Sequence, residues 1–336
     1  MLFTSKAAYK RCIQTFSDTI PQYHLLKEKL EVYEQVVRSN AEQPINFKTT
    51  DSLRLWKEVA QKLQLLGYIE DSHMSDSVTI ALQKKISIFQ KDHGLLEDGK
   101  LSQACKAMLN LPISKRILII RENMERAARI PPMSAFQVMV NIPNFELEMY
   151  VHDTLVFQSD VIVGKRKTKT AIITGRFESI VINPYWNIPN SILQKEILPE
   201  IKRNEMYLKE NDMEWIGKRL RQKPGNKNAL GKIKFIFPNP YNMYLHDTPN
   251  KYLFLKRIRM FSHGCIRIAK PIELAVLILQ KEKKNLSLEL LNELIKKRRE
   301  IFIPLSGVVQ IVVYYMTAFV AANGHLNYRN DIYGLD

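Results

Sequence analysis

The hydrophobic pattern of this chain changes its period once, at Pro131-Pro132. Before these prolines, apolar residues recur every three or four positions, which is typical of one face of an α-helix. From Phe136 onward they alternate with polar residues, which is typical of strands with one buried face. A helix seldom continues through proline, because proline has no backbone N–H to donate. The sequence therefore predicts an α+β protein, in which a helical N-terminal part precedes a mainly β domain.

We expect four segments, divided where this pattern starts, stops or changes. Residues 1–50 form a helical N-terminal segment, 51–112 a small helical module, 113–130 a linking helix and 131–336 the β domain. Within the β domain, residues 191–222 interrupt the strands with a polar stretch rich in Lys, Glu and Met. We expect this stretch to be a helical insertion.

The charge balance favours an anionic partner. Fifty Lys and Arg residues against 34 Asp and Glu give a net charge of +16. Such a surplus suits a nucleic acid, a membrane surface or an acidic polymer. The basic runs, such as KRKTK (165–169), have no interleaved aromatic residues and match no nucleic-acid-binding motif, so we expect no nucleic acid.

One apolar stretch needs to be weighed as a membrane span. Residues 301–328 contain no Asp, Glu, Lys or Arg, but Pro304 and Gly307 interrupt them. The stretch reaches Asn323-Gly324, a dipeptide typical of the tight turn of a β-hairpin. We therefore expect a hairpin and no transmembrane span. The N-terminus lacks the apolar core of about 7–15 residues found in secretory signals, so either the protein is cytosolic or a leader is missing from this chain.

Reactive residue types concentrate in two short stretches, YLHDTP (244–249) and FSHGCIRI (261–268). A thiol is nucleophilic only as the thiolate, and a nearby imidazole is the usual means of forming one. Cys265 follows a glycine, whose tight turn would expose the sulfur and present backbone N–H groups. The residues alone leave two alternatives open. Cys265 could be a buried apolar residue, or it could join His246 and His263 in a zinc site that lacks a clear fourth ligand.

The other two cysteines have a different setting. Cys12 and Cys105 lie in amphipathic helical patterns, where a small buried thiol is the expected role. Three scattered cysteines are also too few for a disulfide framework. Cys265 is therefore the candidate nucleophile.

The stretch HDTPNKYLFLKRIRMFSHGCIRI (246–268) resembles the active-site signature of the L,D-transpeptidases, which have a YkuD-type catalytic domain. In that family a His is followed, after a spacer, by Ser/Thr-His-Gly-Cys, and here fifteen residues separate His246 from Ser262. INPYWNIPNSI (182–192) resembles the larger, YcbB-like branch. The insertion at 191–222 resembles the mobile lid that covers the active site in that branch, and the alternative is a helical excursion without that role. The chain departs from the family where it has Thr170-Ala171 instead of the frequent Thr-Pro.

The resemblance extends to the helical part. Residues 51–112, which include FQKDHGLLEDGKL (89–101), resemble a three-helix peptidoglycan-binding domain. The terminal NYRNDIYGLD (327–336) again resembles the YcbB-like branch. A cell-envelope or periplasmic location is implied, although no signal peptide is visible in this chain.

The resemblance implies roles for the residues of the signature. Cys265 is the nucleophile, and its N–H contributes to an oxyanion hole. His246 is the general base, oriented either by Asp247 or by a backbone carbonyl. His263 and Gly264 shape the turn, and the Arg267 guanidinium matches a substrate carboxylate. Four side chains are expected to bind substrate: Tyr244, Trp186, Ser262 and Arg267.

The implied reaction is the formation of 3→3 peptidoglycan cross-links through a cysteine thioester, with release of D-Ala. Peptidoglycan stem peptides are the expected partners and carbapenem-type β-lactams the expected inhibitors, with no metal or organic cofactor. Two alternatives use the same observations: an L,D-carboxypeptidase or cross-link hydrolase with the same Cys-His site, and a non-catalytic murein-binding scaffold.

Overall fold

The structure, a computed structural model, describes residues 21–70, 78–284 and 286–336. Cys12 and its helical pattern lie outside these residues. The chain divides into two compact units, one formed by residues 1–132 with 315–336 and the other by residues 133–314. A helical part followed by a mainly β domain confirms the predicted α+β class.

The first unit is helical in its N-terminal part. Its described helices are α1 (Pro21–Arg38), α2 (Ser52–Leu65), α3 (Val78–Asp92), α4 (Gln103–Leu109) and α5 (Ile113–Ala127). Two of them begin with a side-chain cap, since Asp51 accepts a hydrogen bond from the N–H of Arg54 and Ser102 accepts one from the N–H of Cys105. Helix α5 ends before Pro131-Pro132, as the period change predicts.

Helices α2, α3 and α4 share one core. Leu63 of α2, Phe89 of α3 and Leu109 of α4 are fully buried in it, together with Cys105. Gly67 follows α2 with a φ of +82°, a conformation that L residues rarely adopt, and this redirects the chain toward α3. Burial raises the pKa of the Cys105 thiol to about 11, so this cysteine is an unreactive core residue.

The second unit is built on one sheet of eleven strands. In chain order the strands of this unit are β1 (Phe136–Asn141), β2 (Glu146–Val151), β3 (Thr154–Gly164), β4 (Ile173–Arg176), β5 (Ser179–Ile182), β6 (Trp186–Asn187), β7 (Met213–Ile216), β8 (Arg219–Gln222), β9 (Ile233–Ile236), β10 (Leu245–His246), β11 (Met260–Ser262), β12 (Ile266–Ile268), β13 (Ile301–Pro304) and β14 (Gln310–Tyr314). Three of them, β6, β7 and β8, lie outside the large sheet. In spatial order the large sheet runs β13-β5-β9-β10-β12-β3-β2-β1-β14-β4, and β11 pairs with β3.

Period-two patterning explains the sheet register. Val138 lies opposite Met149 and Val140 opposite Leu147, and all four side chains are fully buried. A shift of one residue would turn these side chains to the opposite face, so the pattern specifies the pairing. Strand β10 lies between β9 and β12 inside the sheet. This interior position places its side chains among neighbours on both sides.

The insertion at 191–222 differs from its prediction. Its first half is helical, with α6 (Asn190–Ile192), a π-helix (Leu193–Ile197), α7 (Leu198–Arg203) and α8 (Tyr207–Glu210). Its second half is not helical, because β7 and β8 form a hairpin that joins β6 in a separate three-stranded sheet. Gly217 turns this hairpin with a φ of +58°. The predicted helical insertion is therefore helical in its first half and a hairpin in its second.

The insertion also has a small core of its own. Ile188, Leu193, Ile197 and Leu220 are buried together, and partly buried apolar residues such as Met213 pack against them. These apolar residues are far apart in a segment that is mostly polar, so the sequence does not show that they form a core. The insertion is thus an ordered subdomain. Two further helices follow the catalytic signature, α9 (Pro271–Lys281) and α10 (Leu288–Lys296).

The chain closes with a hairpin of β15 (Ala318–Val320) and β16 (Leu326–Tyr328) around Asn323-Gly324, as the turn signal predicts. Among the described residues no helix has the length and apolar character needed to cross a membrane. The sequence assigned this hairpin to the β domain, whereas the structure groups it with the helical unit. Two buried hydrogen bonds connect this segment to the helices of that unit: the Asn123 amide of α5 donates to the Thr317 hydroxyl at 2.9 Å and accepts from the Thr317 N–H at 2.8 Å.

Candidate active site

The sheet brings the two stretches of reactive residues together. Strands β10 and β12 pair in parallel, with His246 beside Arg267, and Cys265 immediately precedes β12. On the other side β10 pairs with β9, with His246 opposite Lys234. Residues directly opposite on paired strands share a face of the sheet. His246 therefore lies between two cationic side chains.

A network of hydrogen bonds holds the turn before Cys265. Gly264 has a φ of +117°, a backbone conformation that strains other residues. The Ser262 hydroxyl donates to the carbonyl of Cys265 at 2.5 Å and accepts from the N–H of Gly264 at 3.1 Å. From the loop after β3, the Thr170 hydroxyl donates to the Gly264 carbonyl at 2.9 Å. Ser262 thus uses its hydroxyl within the turn, which differs from the substrate contact expected of it.

All eight residues singled out in the sequence line one cavity of about 850 Å³. They come from β6, from β10 and the residue before it, from the turn and from β12. Segments that are distant in the chain therefore converge at this cavity. The residues are Trp186, Tyr244, His246, Ser262, His263, Gly264, Cys265 and Arg267.

The imidazole of His246 is oriented by a backbone carbonyl. Its Nδ1 lies 2.5 Å from the carbonyl oxygen of Asp247, which can only accept, so Nδ1 carries the hydrogen and Nε2 is an acceptor. The Asp247 carboxylate is occupied elsewhere, since it accepts from the N–H of Lys232 at 2.8 Å and from Nζ of Lys251 at 2.6 Å. Of the two orienting groups considered in the sequence, the geometry favours the carbonyl.

Burial and nearby charge keep His246 neutral. Desolvation lowers the pKa of its buried imidazole to about 3, and the positive charges of Arg267, Lys234 and Lys251 act in the same direction. At neutral pH the ring is therefore a free base whose Nε2 is ready to accept a proton.

The Cys265 thiol is also neutral at rest. Burial raises its pKa, while hydrogen bonds from Tyr244 and the charges of Lys234 and Arg267 oppose that rise. The hydrogen-bond partner of the thiol is Tyr244, whose hydroxyl also interacts with the Trp186 side chain. The site therefore holds a neutral thiol and a neutral imidazole in one cavity. In many enzymes the hydrogen bond between such a pair forms only when the substrate is bound.

Two residues of the site were missed in the sequence analysis. Lys234 lines the cavity, and its Nζ lies 3.9 Å from the centre of the Tyr244 ring. Glu196, in the π-helix of the insertion, has its Oε1 2.6 Å from Nε2 of His263. Lysines and glutamates are frequent in both segments, so the sequence carries no signal that distinguishes these two. His263, expected only to shape the turn, also connects the turn to the insertion.

The cavity is predominantly positive. Lys169, Lys195, Lys234 and Arg267 line it, with Glu196 as the carboxylate among the described lining residues. No group of three or more His, Cys, Asp or Glu residues in the described ranges is arranged to hold a metal ion. The arrangement suits acyl transfer on a substrate that carries carboxylates.

Residues 135–285 match the family model described as the L,D-transpeptidase catalytic domain, YkuD. The matched segment contains all eight residues of the cavity named above. The resemblance of this segment to the L,D-transpeptidase family is therefore confirmed.

A curated protein of Haemophilus influenzae, named "Putative L,D-transpeptidase", is 26% identical over 319 residues. The alignment covers 88% of this chain but 59% of that protein, so the chain spans about three fifths of the relative's length.

Among solved structures, an L,D-transpeptidase from Mycobacterium smegmatis is 12% identical, with 54% of this chain and 58% of that chain covered and a TM-score of 0.30. L,D-transpeptidase 3 from Mycobacterium tuberculosis, in complex with a faropenem-derived adduct, is 11% identical, with 54% and 60% covered and a TM-score of 0.29. These are partial likenesses, and the site described above rests on the geometry of this chain.

Proposed function

We propose that this chain is a cysteine acyltransferase that forms 3→3 peptidoglycan cross-links. The observation that carries the proposal is that Cys265 and a neutral His246 line the same positively charged cavity. A neutral imidazole with a free Nε2 is the form that general-base catalysis requires. The match of residues 135–285 to the L,D-transpeptidase catalytic domain supplies the substrate class.

In the first step the thiol proton of Cys265 passes to Nε2 of His246. The sulfur attacks the carbonyl that joins the third residue of a tetrapeptide stem to its terminal D-Ala. The backbone N–H of Cys265 makes no hydrogen bond with any described residue, so it can donate to the oxyanion. His246 then returns the proton to the leaving amine, D-Ala departs and a thioester remains.

In the second step the side-chain amine of another stem's third residue attacks the thioester. His246 accepts a proton from that amine, and the proton ends on the departing sulfur. The thiol is thereby restored and a 3→3 cross-link is formed. Division of the acyl transfer into two steps is the purpose of the covalent intermediate.

Arg267 supports recognition of a carboxylate-bearing stem. Its Nε is buried and has no hydrogen-bond partner among the described residues, and an unsatisfied buried donor is costly unless a ligand fills it. A substrate carboxylate would accept from this guanidinium and from Lys169 or Lys195 of the same cavity. Tyr244 and Trp186 would form the wall against which the stem lies.

The helical module of residues 51–112 is proposed to bind peptidoglycan and hold the catalytic domain at its substrate. The corresponding location is the cell envelope, on the periplasmic side. Carbapenem-type β-lactams are proposed inhibitors, because a strained acyl carbon can enter the same cavity and acylate Cys265.

The test is mass analysis of the products from purified tetrapeptide muropeptides. We expect D-Ala release, together with dimers joined between third residues. D-Ala release with tripeptide products alone would assign the chain as an L,D-carboxypeptidase, in which water takes the thioester. Absence of D-Ala release, with wild type and Cys265→Ala alike, would leave a murein-binding scaffold.

A further inference from the structure

Lys234 is a partly buried ammonium group without a carboxylate partner. Its Nζ makes no hydrogen bond or ion pair with any described residue, and it lies over the ring of Tyr244, 3.9 Å from the ring centre. Burial lowers the pKa of Lys234. The negative charge of the Cys265 thiolate opposes that change most, and the charge of Glu300 opposes it less. Glu300 is itself engaged, since it accepts from the N–H of Tyr185 at 2.8 Å.

The surroundings of Lys234 contain both reacting groups. Tyr244, over which the ammonium lies, donates its hydroxyl to the Cys265 thiol. His246 lies directly opposite Lys234 across the β9–β10 pair. Lys234 therefore sits on the same face as the base and one aromatic ring away from the nucleophile.

We propose that Lys234 is a positioning residue that stabilises the Cys265 thiolate through its charge while the proton is on His246. The proton that leaves the sulfur goes to Nε2 of His246, and no other reactant is needed. An ammonium on this face attracts the thiolate and repels the imidazolium, so it favours sulfur attack and onward transfer of the proton to the leaving amine. The inference rests on the proposed function only in taking Cys265 as the nucleophile.

The physical need for such a cation follows from burial. A thiolate removed from water is disfavoured unless an opposite charge or hydrogen bonds compensate. Arg267 lies on the far side of His246, at the β12 register position, and has a substrate carboxylate to bind in the proposed mechanism. Lys234 makes no ion pair with any described residue, and Glu300, whose charge also acts on it, accepts a hydrogen bond from the N–H of Tyr185. The charge of Lys234 is therefore available to the sulfur.

The experiment is alkylation of Cys265 by iodoacetamide as a function of pH, read by mass on the peptide that contains it. In Lys234→Met we expect the thiol to titrate at higher pH and the rate at pH 7 to fall about tenfold, since an opposite charge nearby shifts a pKa by about one unit or more. Lys234→Arg keeps the charge and should stay within about threefold of wild type. Lys281→Met is the matched control, because Lys281 lies 5.6 Å over the Phe136 ring, away from the cavity.

A wild-type profile in Lys234→Met would overturn the proposal, as would an equal loss in Lys234→Arg and Lys234→Met. If Lys234→Met does not fold, a ¹³C NMR titration of the lysine side chains in wild type and Cys265→Ala replaces it. Because the coupling between two charges is reciprocal, Lys234 should titrate at lower pH in Cys265→Ala, and an unchanged titration would overturn the proposal. Neither measurement uses peptidoglycan, so failure of the transpeptidase assignment would be seen separately in D-Ala release.

Discussion

At the residue scale, the chemistry of the site depends on how burial and nearby charges shift the pKa values of His246 and Cys265. His246 is buried between Lys234 and Arg267, and burial with these charges keeps its imidazole neutral. Cys265 is kept as a thiol by burial, with Tyr244 and the two cations acting against it. In the proposed mechanism the thiolate is therefore formed during attack, by proton transfer to His246, because neither group is charged before the substrate binds.

The first prediction concerns covalent labelling by a carbapenem. We expect one adduct per chain by intact mass, on the peptide that contains Cys265, because Cys105 is a buried core thiol of raised pKa. Cys265→Ala should carry no adduct. His246→Ala should still be labelled but more slowly, by a factor on the order of 10²–10⁴, because general-base assistance is lost. An adduct that persists in Cys265→Ala would remove Cys265 as the nucleophile.

The second prediction concerns stability against acid. The pKa of His246 is about 3 in the folded chain and about 6.5 in an unfolded one. Below pH 6.5 the unfolded chain binds the additional proton, so this contribution to stability is complete above pH 6.5 and is lost as the pH falls toward 3. Between pH 6.5 and pH 5 the loss is about 2 kcal/mol.

The measurement is urea unfolding of wild type and His246→Gln at pH 7 and pH 5. Glutamine does not titrate, so the variant should lose about 2 kcal/mol less than wild type between the two pH values. Equal losses would mean that His246 is solvated in the folded protein, contrary to its buried position.

At the scale of elements, the insertion is an ordered subdomain, and a polar contact connects it to the turn that precedes Cys265. Its apolar cluster of Ile188, Leu193, Ile197 and Leu220 holds its helical half to its hairpin. Glu196, in the π-helix, bonds His263 of the turn at 2.6 Å. A π-helix is rare and often found at functional sites. Because of this core, we expect the insertion to move as a body.

The third prediction concerns this contact. Glu196→Ala should increase amide exchange at residues 190–203 by about two- to fivefold, since a half-exposed pair contributes about 1 kcal/mol or less. Acylation of Cys265 should decrease exchange there in wild type. Glu200→Ala is the control, because Glu200 pairs with the exposed Arg203 at 2.9 Å within the insertion. Equal exchange in both variants would assign no gating role to the Glu196–His263 contact.

At the scale of the whole molecule, the charge of the chain and its helical module bear on where it acts. The net charge is +16, and peptidoglycan stems carry carboxylates. Residues 327–336 belong to the helical unit, where Arg329 donates to the Asp92 carbonyl at 2.8 Å. Deletion of residues 51–112 would remove this partner of Arg329. The proposed binding of peptidoglycan by this module is therefore better tested in the intact chain.

The fourth prediction uses Cys265→Ala with purified sacculi. The variant should co-sediment with sacculi and release no D-Ala. Because salt screens attraction between exposed charges beyond about 8 Å at physiological ionic strength, co-sedimentation should decrease several-fold from low to high salt. Pellets without sacculi are the control, and binding that salt does not change would exclude charge as the main attraction.

The sequence alone was sufficient for the fold class and for eight of the residues that line the cavity, but not for Lys234 and Glu196. A change from helical to alternating periodicity at Pro131-Pro132 marks where helices give way to strands, because each period reflects which side chains face a core. The Cys265 turn could be found because its chemistry needs adjacent residues, Ser262 through Cys265. Local rules of this kind are readable along the chain.

Only the tertiary structure decided the partners that come from distant segments. Lys234 and Glu196 resemble the other charged residues of their segments, and a neighbouring strand or the catalytic turn is what makes them part of the site. The same holds for the orienting carbonyl of Asp247, for the hairpin half of the insertion and for the grouping of residues 315–336 with the helices. Burial and electrostatic neighbours set the protonation of His246 and Cys265. Burial and electrostatic neighbours result from tertiary packing, and a local pattern in the sequence does not specify them.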